Sequence, residues 1–267
     1  MINKILSKLK NEFLNRIDKI KYSHFKRKYN IKVPIDELNT IFDGRNEIHK
    51  YMHHFFMHLS PPFLRDHRKY FQKKKRGFGE DAFHSMWLMI FEKYRPKNAL
   101  EIGVYRGQVI TLWSVISRSM GIQCEIHGLS PFSAAGDEVS KYVNNLDYLS
   151  DVIDNSKVFN VESINLKKAY STEIDGIDYI HSKKWDLIYI DVNHDYQIAL
   201  SDYINCKDSL SDGGVLVIDD SSLYTDFKPP RFSFSGHPGP SKIVRDFAMN
   251  DMKFICGVGH NNVFQKI

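Results

Sequence analysis

No stretch of this 267-residue chain approaches the roughly 18–20 apolar residues that a membrane-spanning helix needs. The first 30 residues lack the uninterrupted apolar core of a secretion signal. Cysteine is scarce. Cys124, Cys206 and Cys256 are odd in number, far apart and each set in an apolar stretch, which excludes a disulfide framework and zinc-finger spacing and predicts reduced thiols in the core. Internal repeats, low-complexity tracts and nucleic-acid-binding motifs are also missing. These absences point to the cytoplasm and make nucleic acid an unlikely partner. With 42% hydrophobic and 26% charged residues, the chain can build one large domain plus an appendage.

Negative charge is scarce in the first third. Residues 1–80 hold 19 Lys and Arg against 8 Asp and Glu, a net +11; the remainder holds 18 against 24, a net −6. A basic region of this kind is either a solvated helical surface or a face for an anionic partner such as a membrane surface, an acidic glycan or a nucleotide-linked substrate. Ile2, Ile5, Leu6, Leu9, Phe13, Ile17 and Ile20 recur near helical spacing among lysines, so residues 1–30 read as an amphipathic helix. Its apolar stripe suits the main domain, a second subunit in a homodimer, or the inner face of a membrane. Residues 31–75 give no clear period. "FGEDAFHSMWLMIFEKYRP" predicts a helix over 81–94, stopped by Pro96.

Beyond Pro96, short apolar strands alternate with helices. "NALEIGV", "CEIHGL", "VESINLKKAYS", "WDLIYID" and "GGVLVIDD" read as strands. "GQVITLWSVISRSMG", "DEVSKYVNNLDYLSDVIDN" and "DYQIALSDYINCKDSLS" read as helices, and "MKFICGVGHNNVFQKI" as an antiparallel hairpin. Such alternation predicts an α/β domain with a mostly parallel sheet covered on both faces. Ligands of these sheets lie beyond the carboxyl ends of the strands. The residues found there are Glu101 to Gly107, "HGLSPF", "AYSTE", Asp191, and the pair Asp219 and Asp220. Gly103 and Gly107 permit either a plain tight turn or close approach of a ligand to the backbone. Three aspartates after two apolar strands need a compensating partner.

Taken together, "LEIGVYRG", "WDLIYIDVNHDY" and "LSDGGVLVIDDSS" resemble, in order and interval, the first motif, fourth strand and fifth strand of the class I S-adenosylmethionine-dependent methyltransferases. Within that superfamily the chain is most similar to metal-dependent small-molecule and sugar O-methyltransferases. The resemblance covers about residues 78–267 and implies a Rossmann-like, mostly parallel sheet with a C-terminal antiparallel hairpin. Residues 1–77 form a basic helical N-terminal extension outside it. It implies S-adenosylmethionine as cofactor, with Glu101 near the methionine amino group, Gly103 and Gly107 giving room, and Tyr105 close by. Where the family places an acid on the ribose, this chain has Ser130. Ser171 and Thr172 are candidates for the adenine edge, with a plain polar loop as the alternative.

Methyl transfer to oxygen is limited by the acceptor, because a hydroxyl is a poor nucleophile until its proton leaves. A divalent cation lowers that pKa and a base takes the proton. Asp191, Asp219 and Asp220 would hold a hard ion such as Mg²⁺; the alternative is that Asp191 and Asp220 cap helices or bind acceptor hydroxyls directly. His194, three residues after Asp191, is the expected base, since an imidazole with a pKa near 6.5 accepts a proton at neutrality. His237, in the Gly- and Pro-rich "FSFSGHPGPSK", is its rival, and Asn193 and Tyr196 are candidate assistants. The acceptor is expected to be a hydroxyl of a sugar, a glycan precursor or another polar small molecule. Other expectations are an RNA or protein methyltransferase, or a degenerate cofactor-binding domain that holds a partner or a membrane.

Overall fold

Seven strands form one sheet: β1 (Asn98–Ile102), β2 (Glu125–Ser130), β3 (Asn165–Lys168), β4 (Trp185–Ile190), β5 (Leu210–Ile218), β6 (Lys253–Val258) and β7 (Asn261–Gln265). The computed structural model describes residues 2–134, 142–191 and 193–267. Across the sheet the order is β3-β2-β1-β4-β5-β7-β6. The first five strands pair in parallel, while β7 runs antiparallel to both β5 and β6. The expected sheet and its terminal hairpin are therefore both present.

Alternation along the strands supplies two cores. Ala99, Leu187, Tyr189, Val215 and Val217 join one buried cluster; Leu100, Ile102, Ile188, Ile190, Leu216 and Ile218 join the other. Covering both faces is why these strands read as continuous apolar runs. Leaving β1, the chain packs α6 (Gln108–Ser119) on one side and crosses to β2; β4 lies on the opposite flank of β1. Strand order reverses between β1 and β4, so the crevice at their carboxyl ends is where a ligand fits.

Ahead of the sheet come α1 (Ile2–Ser23), α2 (Leu38–Ile41), α3 (Gly44–His58), α4 (Pro62–Gln72) and α5 (Asp81–Tyr94). Helix α5 has the expected bounds. Arg95 closes it in the left-handed conformation, at φ 44, ahead of Pro96. Helix α3 gave no readable period because His49, His53 and His54 are buried beside its aromatic residues, so polar rings interrupt the apolar pattern. Along α1, Leu6, Leu9, Phe13 and Ile20 remain exposed and Ile17 is half-buried. That helix is tied down near its end, where the Tyr22 ring meets His49 and His53 edge-on.

After β2, helix α7 (Tyr148–Lys157) is capped by Asp147, whose side chain accepts from the Ser150 N–H. The helix expected over 137–155 is thus shorter at its start, and its residues 137–141 lie outside the described residues. Helices α8 (Ile174–His181), α9 (Tyr196–Ser209) and α10 (Pro238–Ile243) complete the set used below. Residues 29–64 of the N-terminal helices share a single buried cluster with Val215, Val217, Ile255, Cys256, Val258 and Val263 of the sheet. Cys206 and Cys256 are buried free thiols, while Cys124 is half-buried. No described helix is long and apolar enough to cross a membrane.

Candidate active site

A cavity of about 510 Å³ opens at the carboxyl ends of β1, β2, β4 and β5. Glu101, Gly103, Tyr105, Ser130, Ser171, Thr172, Asp191, His194, Asp219, Asp220 and His237 all line it, and so does Asn193. Among the expected site residues, Gly107 and the candidate assistant Tyr196 are not on its wall. A Cβ at Gly107 would sit 3.1 Å from Val152 Cγ1, so Gly107 serves the packing of α7 and a positive φ of 83, one residue before α6 begins. Gly103 does face the cavity, with φ 96, a conformation that side-chain-bearing residues avoid. Tyr105, also at positive φ, carries its ring next to Phe78 and Tyr148.

Glu101 is buried at the end of β1, and its carboxylate accepts the Ile110 N–H at 3.2 Å, in the first turn of α6. Burial raises its pKa well above the usual carboxylate range, with Asp219 adding to the rise. Ser130 and Ser171 are buried at the ends of β2 and the β3–α8 loop, while Thr172 is exposed. Trp87 and Tyr189, both on the cavity wall, meet edge-on, and Trp87 also meets the buried Trp113 edge-on.

The acidic end has a denser network than the sequence suggested. The Asp191 N–H bonds to Ile102 O and the Asp219 N–H to Ile190 O, so the sheet ladder itself places both aspartates. Asp191 is exposed only in part, and its pKa is raised well above normal by burial, then by Asp219 and Asp220. Asp220 behaves oppositely. Burial would raise its pKa, but hydrogen bonds from His194 and His260 outweigh that and hold the carboxyl well below the usual range. His194 Nε2 lies 2.8 Å from Asp220 Oδ2, and His237 Nε2 lies 3.9 Å from the same oxygen. The two imidazoles pack against each other with centroids 4.0 Å apart. His194 and His237, expected as rivals, share one carboxylate.

His260 was not anticipated. It sits in the β6–β7 turn, 41 residues from Asp219, and no motif marks it. Its Nδ1 is 2.9 Å from both Asp219 Oδ1 and Asp220 Oδ1. Burial disfavours its charge, yet the two carboxylates raise its pKa well above that of a free imidazole. Asp219, Asp220 and His260 form one group able to hold a metal ion, and His194, Asp220 and His237 another; Asp191 belongs to neither. Capping of α9 falls to Asp195, whose side chain accepts from Gln197 and Ile198 N–H. Helix α10, the next after Asp220, starts behind His237 with no side-chain cap, so neither Asp191 nor Asp220 caps a helix.

The 232–237 loop and the first turn of α10 dock on this network by close backbone approach. A Cβ at Gly236 would lie 2.2 Å from Asp220 O, and one at Gly239 would lie 2.1 Å from His194 O. The His237 N–H bonds to Asp220 O at 2.7 Å. Glycine is required at both places because backbone occupies the space of any side chain.

Residues 100–221 match a family model described as "Methyltransferase domain". No curated protein matches the chain in sequence. Among solved structures, an SAH-bound methyltransferase of Podospora anserina is similar with TM-score 0.52 and 16% identity, over 78% of this chain and 88% of that one. A Bacillus cereus O-methyltransferase in complex with SAH gives TM-score 0.52 and 13% identity, over 79% and 93%. A candidate caffeoyl-CoA O-methyltransferase from Staphylococcus aureus gives 0.56 and 12%, over 81% and 97%. Residues 100–221 thus match a methyltransferase-domain model, and the chain around them shares the fold of these methyltransferase structures.

Proposed function

We propose that the protein is an S-adenosylmethionine-dependent O-methyltransferase whose acceptor is a hydroxyl of a sugar, a glycan precursor or another polar small molecule. The observation that carries this reading is the His194–Asp220 pair at 2.8 Å, set in the same cavity as the Glu101–Gly103 turn. S-adenosylmethionine supplies the methyl group from its sulfonium, and the chain must bind it, dry it and present the acceptor oxygen. Glu101, anchored on Ile110 N–H, would receive the methionine amino group, and Gly103 at positive φ leaves the wall beside it without a side chain. Ser130 and Ser171 offer hydroxyls to the nucleoside part.

At the other end, with its Nε2–H donated to Asp220, His194 is basic at Nδ1. Asp220 fixes that tautomer and stabilises the imidazolium after a proton arrives, as a carboxylate does in an Asp–His pair. The donor set also fits a divalent cation. Asp191, Asp219 and Asp220 crowd one end of the cavity, where burial, and then the neighbouring Asp219 and Asp220, raise the Asp191 pKa. Held by Asp219, Asp220 and His260, whose ligand atoms lie within 4.8 Å of one another, such an ion would acidify the acceptor hydroxyl.

The test is transfer of labelled methyl from S-adenosylmethionine to a panel of free sugars, nucleotide sugars and catechols, with Mg²⁺ and with EDTA. Label in a sugar or other hydroxylic acceptor is the expected result. Absence of saturable S-adenosylmethionine binding by calorimetry under both conditions would overturn the reading.

A further inference from the structure

Outside the cavity, the N-terminal helices carry a second cluster of metal-type ligands. His49 and His53 lie four residues apart on α3 and so project from one face of it. Both point at Glu80, the residue before α5. His49 Nε2 is 2.9 Å and His53 Nε2 3.4 Å from the same oxygen, Oε2. All three side chains are buried, and their ligand atoms lie within 4.8 Å of one another. None of the three lines the cavity.

We propose that His49, His53 and Glu80 form a structural site for a zinc-type divalent ion, distinct from the carboxylates of the active site. Two imidazole nitrogens and one carboxylate oxygen suit Zn²⁺ or Co²⁺, whereas Mg²⁺ prefers oxygen and water. For His49 and Glu80 the charge state suits a metal. Burial lowers the His49 pKa to about 4, so its imidazole is neutral near pH 7. Burial would raise Glu80, but the hydrogen bonds from both histidines hold it well below the usual range, as an ionised carboxylate.

The surroundings favour an ion over a simple hydrogen-bonded pair. His49 and His53 both aim Nε2 at the single oxygen Glu80 Oε2, so three ligand atoms converge on one small volume. Tyr22, Phe227 and Phe232 press rings against the imidazoles and make a dry shell. These three come from α1 and from the loop after β5, so an ion here would pin α1, α3, α5 and that loop together. Glu80 Oε1 lies 3.9 Å from His260 Nε2, which connects the cluster to Asp219 and Asp220.

The experiment uses the untagged full chain, stripped with a chelator and loaded with Co²⁺ or Zn²⁺ under competition. One equivalent should be retained, and the Co²⁺ form should show the intense visible bands of a low-coordinate site with nitrogen ligands. His53→Gln and Glu80→Gln should weaken retention by about 100-fold or more, since loss of even a ligand's supporting partner costs about 10- to 100-fold. Asp219→Asn should retain the ion. The proposal is overturned if the parent chain retains none, or if its Co²⁺ spectrum is the weak one of an all-oxygen octahedral site. The latter needs no substitution and holds even where a variant misfolds. Retention unchanged in folded His53→Gln, or abolished in Asp219→Asn, overturns it equally.

Discussion

Asp220 carries several of the site's constraints at once. It stands at φ 51, accepts from His194, meets His260, and offers its carbonyl to the His237 N–H. Aspartate tolerates the left-handed region better than most residues, which is one reason the position can be filled at all. Asp220→Ala should fold but lose about 10²–10⁴-fold in methyl transfer, the range for removing general-base function, while S-adenosylmethionine binding measured by calorimetry persists. Turnover within a few-fold of the parent would remove His194–Asp220 from the chemistry. Gly103→Val should abolish cofactor binding, because a β-branched residue cannot hold φ 96 and its side chain would enter the cavity. A dissociation constant unchanged from the parent would refute that role. Glu101, Asp191 and Asp219 were legible from sequence because each ends an apolar strand. His260 and Glu80 were not, since their partners lie far off in the chain and only the fold brings them near.

Elements were legible where one period dominated. Helix α5 and the five parallel strands showed in the sequence, whereas α8, eight residues with a central glycine, was too short to declare itself. Gly176 is needed there because a Cβ would fall 2.0 Å from Tyr170 O. The joint between α3 and the β6–β7 hairpin was equally hidden. Buried Arg45 donates to Ser222 Oγ, Gly259 O, Asn261 O and Asn262 Oδ1 across that joint. Arg45→Met would leave those acceptors unpaired in the interior, at a cost of about 3 kcal/mol or more. A denaturation midpoint equal to the parent's would show that the joint bears no load. Helices α4 and α5 meet at His67 and His84, whose ring nitrogens lie 3.1 Å apart. Burial lowers His67 to about 3 and His84 well below 6.5. An unfolded chain therefore binds more protons than the folded one below about pH 6.5, and stability falls as pH drops from there toward about 3. Melting temperature recorded across that window should decline on the acid side, and His67→Gln should flatten the decline. A flat parent curve would contradict the neutral-pair assignment.

For the molecule as a whole, the sequence separates a basic stretch over 1–77 from an α/β unit over 78–267, and the core does not respect that seam. Tyr29, Ile35, Leu38, Tyr51, Met52 and Phe55 are buried in the same cluster as Ile255, Val258 and Val263. A chain starting at residue 78 should accordingly lose cooperative unfolding and near-ultraviolet dichroism, since the part of one sheet face beneath Ile255, Val258 and Val263 would lose its helical cover. A sharp transition in that fragment would establish the helices as an accessory. Charge is the property most visible at this scale, and it says least about the site, whose acids sit in the acidic part regardless of the basic helices.

The position of His260 has a consequence for the order in which the protein becomes functional during synthesis. The side chain that bridges Asp219 and Asp220 is made after six of the seven strands, and the Arg45 joint closes on residues made later than that bridge's own carboxylates by some forty positions. A nascent chain halted before the hairpin has both carboxylates but no imidazolium between them. Translation thus delivers the counter-charge last, and a prematurely terminated product would be electrostatically unfinished at the centre of its cavity.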